Sequence, residues 1–270
     1  MVDTVKVGFA GNVQAEVPAH RRVKLPGSEG VRFWHDGVGN CKAEAELPKL
    51  LWEHNGRLLA NQADLDESVA RFRAVLLNYV KFDSWQWVLT DLVWQFQTRP
   101  TDVILAHQWV RFPGVRNWPT MHKGVKQISW SGSRLGLKFY CKAESVLRVE
   151  LRIAGEQLRK RINATASLDF AQLYQVFRAD VLKLPPVQLP ETKKHSMAEI
   201  IAGLPLVLQH DAILTYQQGR TVRAVSGFKH DVSIARIKKV GWNLHQLLPA
   251  AIPPPVNCEP RRGSVRKISP

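Results

Sequence analysis

GLKFYCKAESVLRVELRI, Gly136 to Ile153, alternates apolar and polar side chains on both sides of a short break. In its first run Leu137, Phe139 and Cys141 share one face, and Lys138, Tyr140 and Lys142 the other. In its second run Leu147, Val149, Leu151 and Ile153 oppose Arg148, Glu150 and Arg152. A period of two over this length specifies strands, and only Ala143-Glu144-Ser145 separates them, so the spacing predicts a hairpin. A turn centred on Glu144 sets Tyr140 opposite Arg148 and Lys138 opposite Glu150 on the polar side. One sheet face then gathers a tyrosine, lysines, arginines and a carboxylate, a set suited to handling phosphate. The same pattern also describes an ordinary solvated hairpin face with a Lys–Glu cross-strand pair.

Outward from this hairpin, the first half of the chain reads as strands. Gln127 to Trp130 precedes the turn Ser131-Gly132-Ser133-Arg134. Trp85 to Phe96 (WQWVLTDLVWQF) is aromatic and β-branched on both faces, like a central strand covered on both sides. Val31–Trp34 and Cys41–Leu47 flank an Asp36-Gly37 turn, another hairpin signal. Short helices are expected over Lys49–Glu53 and Pro100–Arg111. A longer helix is expected from about Asp64 to Val80, with Leu65, Val69, Phe72, Val75, Leu76 and Tyr79 on one stripe. The second half reads as helices: Leu168–Leu184, a segment from Ser196 beyond a Pro-rich linker, and a basic helix at about Asp231–Leu248. Strands first and helices last predict an α+β fold, an antiparallel β-sheet core with packed helices followed by a helical C-terminal region. The expected division is a catalytic unit over 1–165, a helical accessory region over 166–250 and a disordered basic tail over 251–270.

The 270 residues carry 38 Lys+Arg against 23 Asp+Glu, a formal charge of +15, while 45% of residues are apolar. That apolar content excludes a wholly disordered chain, and the charge attracts polyanions, nucleic acid first. The longest apolar run, Ile200 to Leu208, contains Gly203 and Pro205 and is far short of the ~20 residues of a membrane span. No signal peptide is visible at the N-terminus. Cys41, Cys141 and Cys258 are odd in number and widely spaced, which argues against a disulfide framework and predicts a reducing, cytoplasmic setting.

Asp91 stands mid-strand among Trp87, Leu89, Val93 and Trp94, where a carboxylate needs a cation or hydrogen bonds to offset its burial. A capped aspartate and a ligand to a hard cation such as Mg²⁺ are both consistent with that setting. Tyr79 and Tyr174 lie on apolar helix stripes and read as core. Tyr216 falls near a predicted helix end with nothing basic at short spacing. Trp109, Trp118 and Trp130 lie in a basic stretch where they could stack unpaired bases.

Asp91 in its apolar strand, then ISWSGSRLGLKFYCK, then VLRVELRI followed by Leu-Arg-Lys-Arg, resembles the gene II type replication initiators of filamentous bacteriophages and their plasmid relatives. MVDTVKV at the start and GVRFWHDGVGNCKAEAELPKLLWEHNG agree with the same family in order and spacing. The resemblance covers roughly residues 1–185, its sharpest motifs being Tyr140-x-Lys142 and Arg148-x-Glu150. Two features depart from the pattern: Leu89 stands where a basic residue would precede the strand aspartate, and no His-apolar-His triplet is present. The resemblance implies a rolling-circle nickase of a bacterial host cell. In that chemistry Tyr140 attacks a DNA phosphodiester, leaving a 5′-phosphotyrosine and a free 3′-OH, and later rejoins the strand. It further implies that Lys142 assists Tyr140, and that Mg²⁺ or Mn²⁺ is held by Asp91 and Glu150 with Glu44 as a third ligand. Lys138, Arg148 and Arg152, together with Arg236, Lys238 and Lys239 of the basic helix, would contact origin DNA. A host helicase or polymerase is a further implied partner. The alternative reading is a non-catalytic protein that binds single-stranded nucleic acid.

Overall fold

Alternating side-chain patterns pair into one nine-stranded antiparallel sheet. The description rests on a computed structural model and covers residues 1–14, 17–26, 28, 30–122, 126–163, 167–191, 238–242 and 244–258. In chain order the strands are β1 (Val2–Ala10), β2 (Asn12–Val13), β3 (Val23–Lys24), β4 (Val31–His35), β5 (Asn40–Glu46), β6 (Val80–Lys81) and β7 (Gln86–Gln97). They continue with β8 (Thr120–His122), β9 (Gln127–Ser131), β10 (Leu135–Ala143), β11 (Val146–Ala154), β12 (Val187–Glu191) and β13 (Lys238–Trp242). The main sheet runs β3-β4-β5-β1-β7-β11-β10-β9-β8, while β2–β6 and β12–β13 form separate two-stranded ribbons. The helices are α1 (Leu47–Trp52), α2 (Gln62–Leu77), α3 (Pro100–Ala106), α4 (Gly155–Arg161) and α5 (Phe170–Val181), with one more turn at Leu244–Leu247. The fold is therefore α+β. Among the described residues no helix is long and apolar enough to cross a membrane.

The strand expected to be central, β7, occupies the middle of the sheet and is buried along almost its whole length. On one sheet face Val5, Val7, Ala43, Leu92, Trp94, Phe139, Val149 and Leu151 are buried in one continuous core. That core also holds Leu65 and Phe72 of α2, Ile104 of α3, Leu158 of α4 and Tyr174 and Phe177 of α5. Trp94 meets Tyr174 edge-on with ring centroids 5.5 Å apart, which fastens α5 to the central strand. Residues 168–184, beyond the expected boundary at 165, thus share the core of the sheet. Side-chain caps start the two long helices: Asn61 accepts from the Asp64 amide at 2.9 Å and Asp169 from the Gln172 amide at 2.7 Å.

Three expectations need correction. The helix from Pro100 ends at Ala106, five residues before Arg111, with His107 as its C-cap. Residues 238–242, expected in a basic helix, form a strand paired with β12 in the register Val187↔Trp242. Val240 and Trp242 favour extended backbone, and Pro190 is tolerated because a two-stranded ribbon leaves one edge free. The chain from Pro249 to Cys258 is ordered onto the core, although a disordered tail was expected from 251. The Tyr174 hydroxyl donates to Pro249 O at 2.8 Å, Gln95 Nε2 to Val256 O at 2.5 Å, and the Leu58 amide to Asn257 Oδ1 at 3.1 Å. The expected helix from Ser196, Arg236 and residues 259–270 lie outside the described residues.

His107 gives the fold an acid-sensitive point. Its ring is fully buried, edge-on to Phe139 at 5.1 Å and Trp130 at 6.3 Å, with Nδ1 2.7 Å from Val103 O. Burial pushes its pKa down to about 4, against 6.5 ordinarily, and the Val103 bond opposes that only in part. Between those values the unfolded chain binds a proton that the folded chain refuses, so stability falls as pH drops through 6.5 and the loss levels off near 4. The full loss is on the order of 3 kcal/mol. Urea unfolding from neutral pH down to about pH 4 should show a shallower acid limb in His107→Phe than in the wild type; identical limbs would refute the assignment.

Candidate functional site

The register turns the hairpin reading into geometry. Strand β10 pairs β11 with Tyr140↔Arg148 and Lys138↔Glu150, as a turn at Glu144 requires. On the other side β11 pairs β7 with Arg148↔Gln95, Glu150↔Val93 and Arg152↔Asp91. These residues lie on the sheet face opposite the helices. Tyr140 sits on an inner strand, between β11 and β9.

Arg148 is the centre of this face. Its side chain is fully buried. Nε donates to Gln95 Oε1 at 3.1 Å, Nη1 to the Tyr140 hydroxyl oxygen at 3.3 Å and to Asp3 Oδ1 at 3.4 Å, and Nη2 to the Asn55 carbonyl. Asp3 reaches it because β1 slips register between Val2 and Thr4, and a bulge re-aims the intervening side chain. Burial pushes the Asp3 carboxyl up, and the adjacent Arg148 charge holds it down in part. Arg148 was expected to contact DNA; enclosed in this way it serves the protein's own groups.

Tyr140 is half-buried, with its ring under the Lys138 ammonium at 4.9 Å. Burial pushes its phenol well above the usual tyrosine range; Arg148 opposes this, and Glu150 and Asp3 add to it. Lys142, expected to assist Tyr140 directly, instead donates to Asn55 Oδ1 at 2.7 Å. Burial, followed by the Arg148 charge, brings the Lys142 amine down to about 8.

The carboxylates each have their own cations. Asp91 is clamped by Arg152 through Nε–Oδ1 and Nη2–Oδ2 bonds, both 2.8 Å. Glu150 pairs with Lys138 at 2.7 Å, and Glu44 with Lys6 at 2.8 Å, Arg22 at 2.5 Å and Arg32 at 3.1 Å. Burial alone would raise Glu44, but Lys6, Arg22 and Arg32 together carry its carboxyl below the usual range. Asp91 and Glu150 share the face as diagonal neighbours, ~7–8 Å apart at the backbone. Each is nevertheless neutralised by a different side chain. Among the described residues no group of three or more His, Cys, Asp or Glu is disposed to hold a metal ion. As arranged, Asp91, Glu150 and Glu44, the residues expected to hold Mg²⁺ or Mn²⁺, are each engaged by protein cations.

Neither a scan against protein-family models nor a search of curated proteins returns a match. The site therefore rests on its own chemistry. Of the other expected contacts, Lys138 and Arg152 are on the polar face and reach solvent. Lys238 and Lys239 fall in β13, which is not a strand of the main sheet, and Arg236 is outside the described residues. Trp130 is buried, whereas Trp109 and Trp118 are exposed. Asp3, Asn55 and Gln95 complete the site without having been singled out in the sequence. Gln95 was findable, being polar inside β7 and in phase with Asp91; Asp3 depends on a bulge, and Asn55 on the path of a loop.

Removing Arg148 should be costly. It would leave Asp3 buried without its cation, and breaking a buried pair costs roughly 3–5 kcal/mol. Arg148→Met should lose stability of that order in urea unfolding, and adding Asp3→Asn to it should recover part of the loss. A drop below ~1 kcal/mol would refute the buried hub.

Proposed function

We propose that this chain nicks and rejoins one DNA strand through Tyr140, as a replication initiator that leaves a 3′-OH for rolling-circle synthesis. The observation that carries the reading is the Tyr140 hydroxyl held by the Arg148 guanidinium on the helix-free face of the sheet, with Lys138 and Lys142 on the same strand face. Catalysis of phosphoryl transfer needs an oriented nucleophile and fixed positive charge where the phosphorane charge develops. A tyrosine hydroxyl beside an arginine on two adjacent strands supports that reading. The positive charge of the chain and the open antiparallel sheet backed by helices agree with such an initiator.

In the proposed step the Tyr140 oxygen forms a bond to phosphorus as the P–O3′ bond breaks, and the departing 3′ oxygen takes up a proton. The phenolic proton must leave first or concurrently. Burial keeps the phenol protonated at rest, so a nearby acceptor is required. Lys142, two residues along the strand and with an amine brought down to about 8, is partly uncharged near neutral pH; to receive that proton it has to release Asn55 Oδ1 and swing to the phenol. Arg148 then remains to hold the negative charge on the oxygen. Because the three carboxylates are engaged by protein cations, no step is routed through a metal.

One observation favours the non-catalytic alternative. Asp91, Glu150 and Glu44 are each already paired with a protein cation, as a surface built only for binding would have it. The test is incubation of the full chain with a supercoiled plasmid carrying the DNA that flanks its own coding sequence, with Mg²⁺ supplied, followed by denaturing gels. The wild type should yield a nicked circle with protein on the 5′ end, and Tyr140→Phe should bind the plasmid equally but give no adduct. The nicking rate should rise with pH through about 8, and Lys142→Met should lose that rise. Equal binding with no adduct from the wild type would establish the alternative instead.

A further inference from the structure

The face that carries Tyr140 also carries a pattern that nicking does not use. Three carboxylates are nearly covered, with side-chain exposures of 4% for Asp91, 9% for Glu150 and 12% for Glu44. Their partners reach water: Arg152 is 52% exposed, Arg22 51%, Arg32 48%, Lys6 41% and Lys138 31%. Lys42, also exposed, lies 5.1 Å over the Trp34 ring beside this group. The register strings these residues diagonally over the sheet. Lys138 is on β10 next to Tyr140, Arg152 on β11 opposite Asp91 of β7, Lys6 on β1 opposite Glu44 of β5, and Arg32 on β4 opposite the same Glu44. From β10 to β4 there are five strand spacings, about 24 Å. At the far end Lys6, Arg22, Arg32, Trp34 and Lys42 line a cavity of about 270 Å³ around Glu44.

We propose that these cations form a track for the sugar–phosphate backbone of a single nucleic-acid strand leading to Tyr140, and that Asp91, Glu150 and Glu44 are positioning residues that hold the track rather than ligands to a metal. The inference rests on the nicking reading for the direction of the strand. A lysine or arginine on a flexible stem loses rotamer freedom when it grips a phosphate, and a buried carboxylate beneath it takes that loss at folding instead of at binding. The cations outnumber the carboxylates, so the track stays positive. Trp34, partly exposed beside Lys42 at the far end, offers an unpaired base an aromatic ring. An anionic membrane could use the same charges but offers that ring no base to stack on.

The test is fluorescence anisotropy of a labelled, mixed-sequence single-stranded DNA oligonucleotide with the full chain over a range of salt. The wild type should bind with a steep salt dependence. Arg22→Ala, Lys6→Ala and Arg32→Ala, made singly so that Glu44 keeps two of its three cations, should each lower the log–log salt slope by about 0.7. Glu44→Gln discriminates. It raises the net charge by one, so a diffuse electrostatic surface would bind more tightly, whereas a positioned track should bind about tenfold more weakly. Tighter or equal binding by Glu44→Gln overturns the proposal, as do unaltered slopes in the cation variants. Wild-type binding to phosphatidylserine vesicles but not to the oligonucleotide also overturns it. Adduct formation is scored separately, so an adduct with unaltered track variants would remove the track and leave the nicking reading in place.

Discussion

A fully buried guanidinium is the constraint that the rest of this structure accommodates. Arg148 sits in β11 with no water to solvate it, so each of its donors must find an acceptor inside the protein. The acceptors come from Asp3 of β1, Gln95 of β7, Tyr140 of β10 and the loop at Asn55. Strands β1 and β11 are not neighbours, since β7 runs between them, and the ion pair ties them across it. The Gln95 amide that accepts from Arg148 also donates to Val256 O, which extends the network to the C-terminal segment. A side chain of the candidate chemistry thus doubles as a fastener of the fold, and the hydroxyl of Tyr140 is held by the group that the sheet can least do without.

What the sequence discloses follows from the range of the signal. The β10–β11 register is local: a period of two on each side of three residues leaves little freedom, and Tyr140↔Arg148 and Lys138↔Glu150 follow. The central place of β7 is legible because residues apolar on both faces fit nowhere else. Partners set by distant pairing are not legible. Arg152 clamps Asp91 from 61 residues away, and Val256 meets Gln95 from 161 residues away. β13 competes with a helical reading because five residues of Lys, Val, Gly and Trp carry no decisive period, and the pairing with β12 decides.

The carboxylates show how one missing fact changes a chemical assignment. Asp91 alone in an apolar strand demands a cation, and that requirement is met. The sequence leaves open whether the cation is a divalent metal or a guanidinium. A bidentate arginine satisfies both oxygens in the plane of the carboxylate, which leaves little reason for a metal to displace it. Pairing with protein cations recurs at Glu150 and Glu44, so it is a property of this sheet face and not of one residue.

Burial of the tyrosine and depression of the lysine on the same strand have a single cause. Tyr140 and Lys142 are both drawn into poorly solvated positions, where the charged form of each is disfavoured. Desolvation raises the acid and lowers the base, which brings the protonated phenol and the free amine to prevail over a common pH range. The same shifts make transfer of the phenol's proton to that amine uphill, so the phenolate has to be stabilised as it forms. Arg148 works against the rise at Tyr140, and it would gain from the transfer, since a phenolate beside it is the better acceptor. Any further negative charge in this enclosure raises the proton affinity of Lys142 and of the Tyr140 phenolate alike, as Glu150 and Asp3 already do at the phenol, so Arg148 is the one neighbour that favours the phenolate.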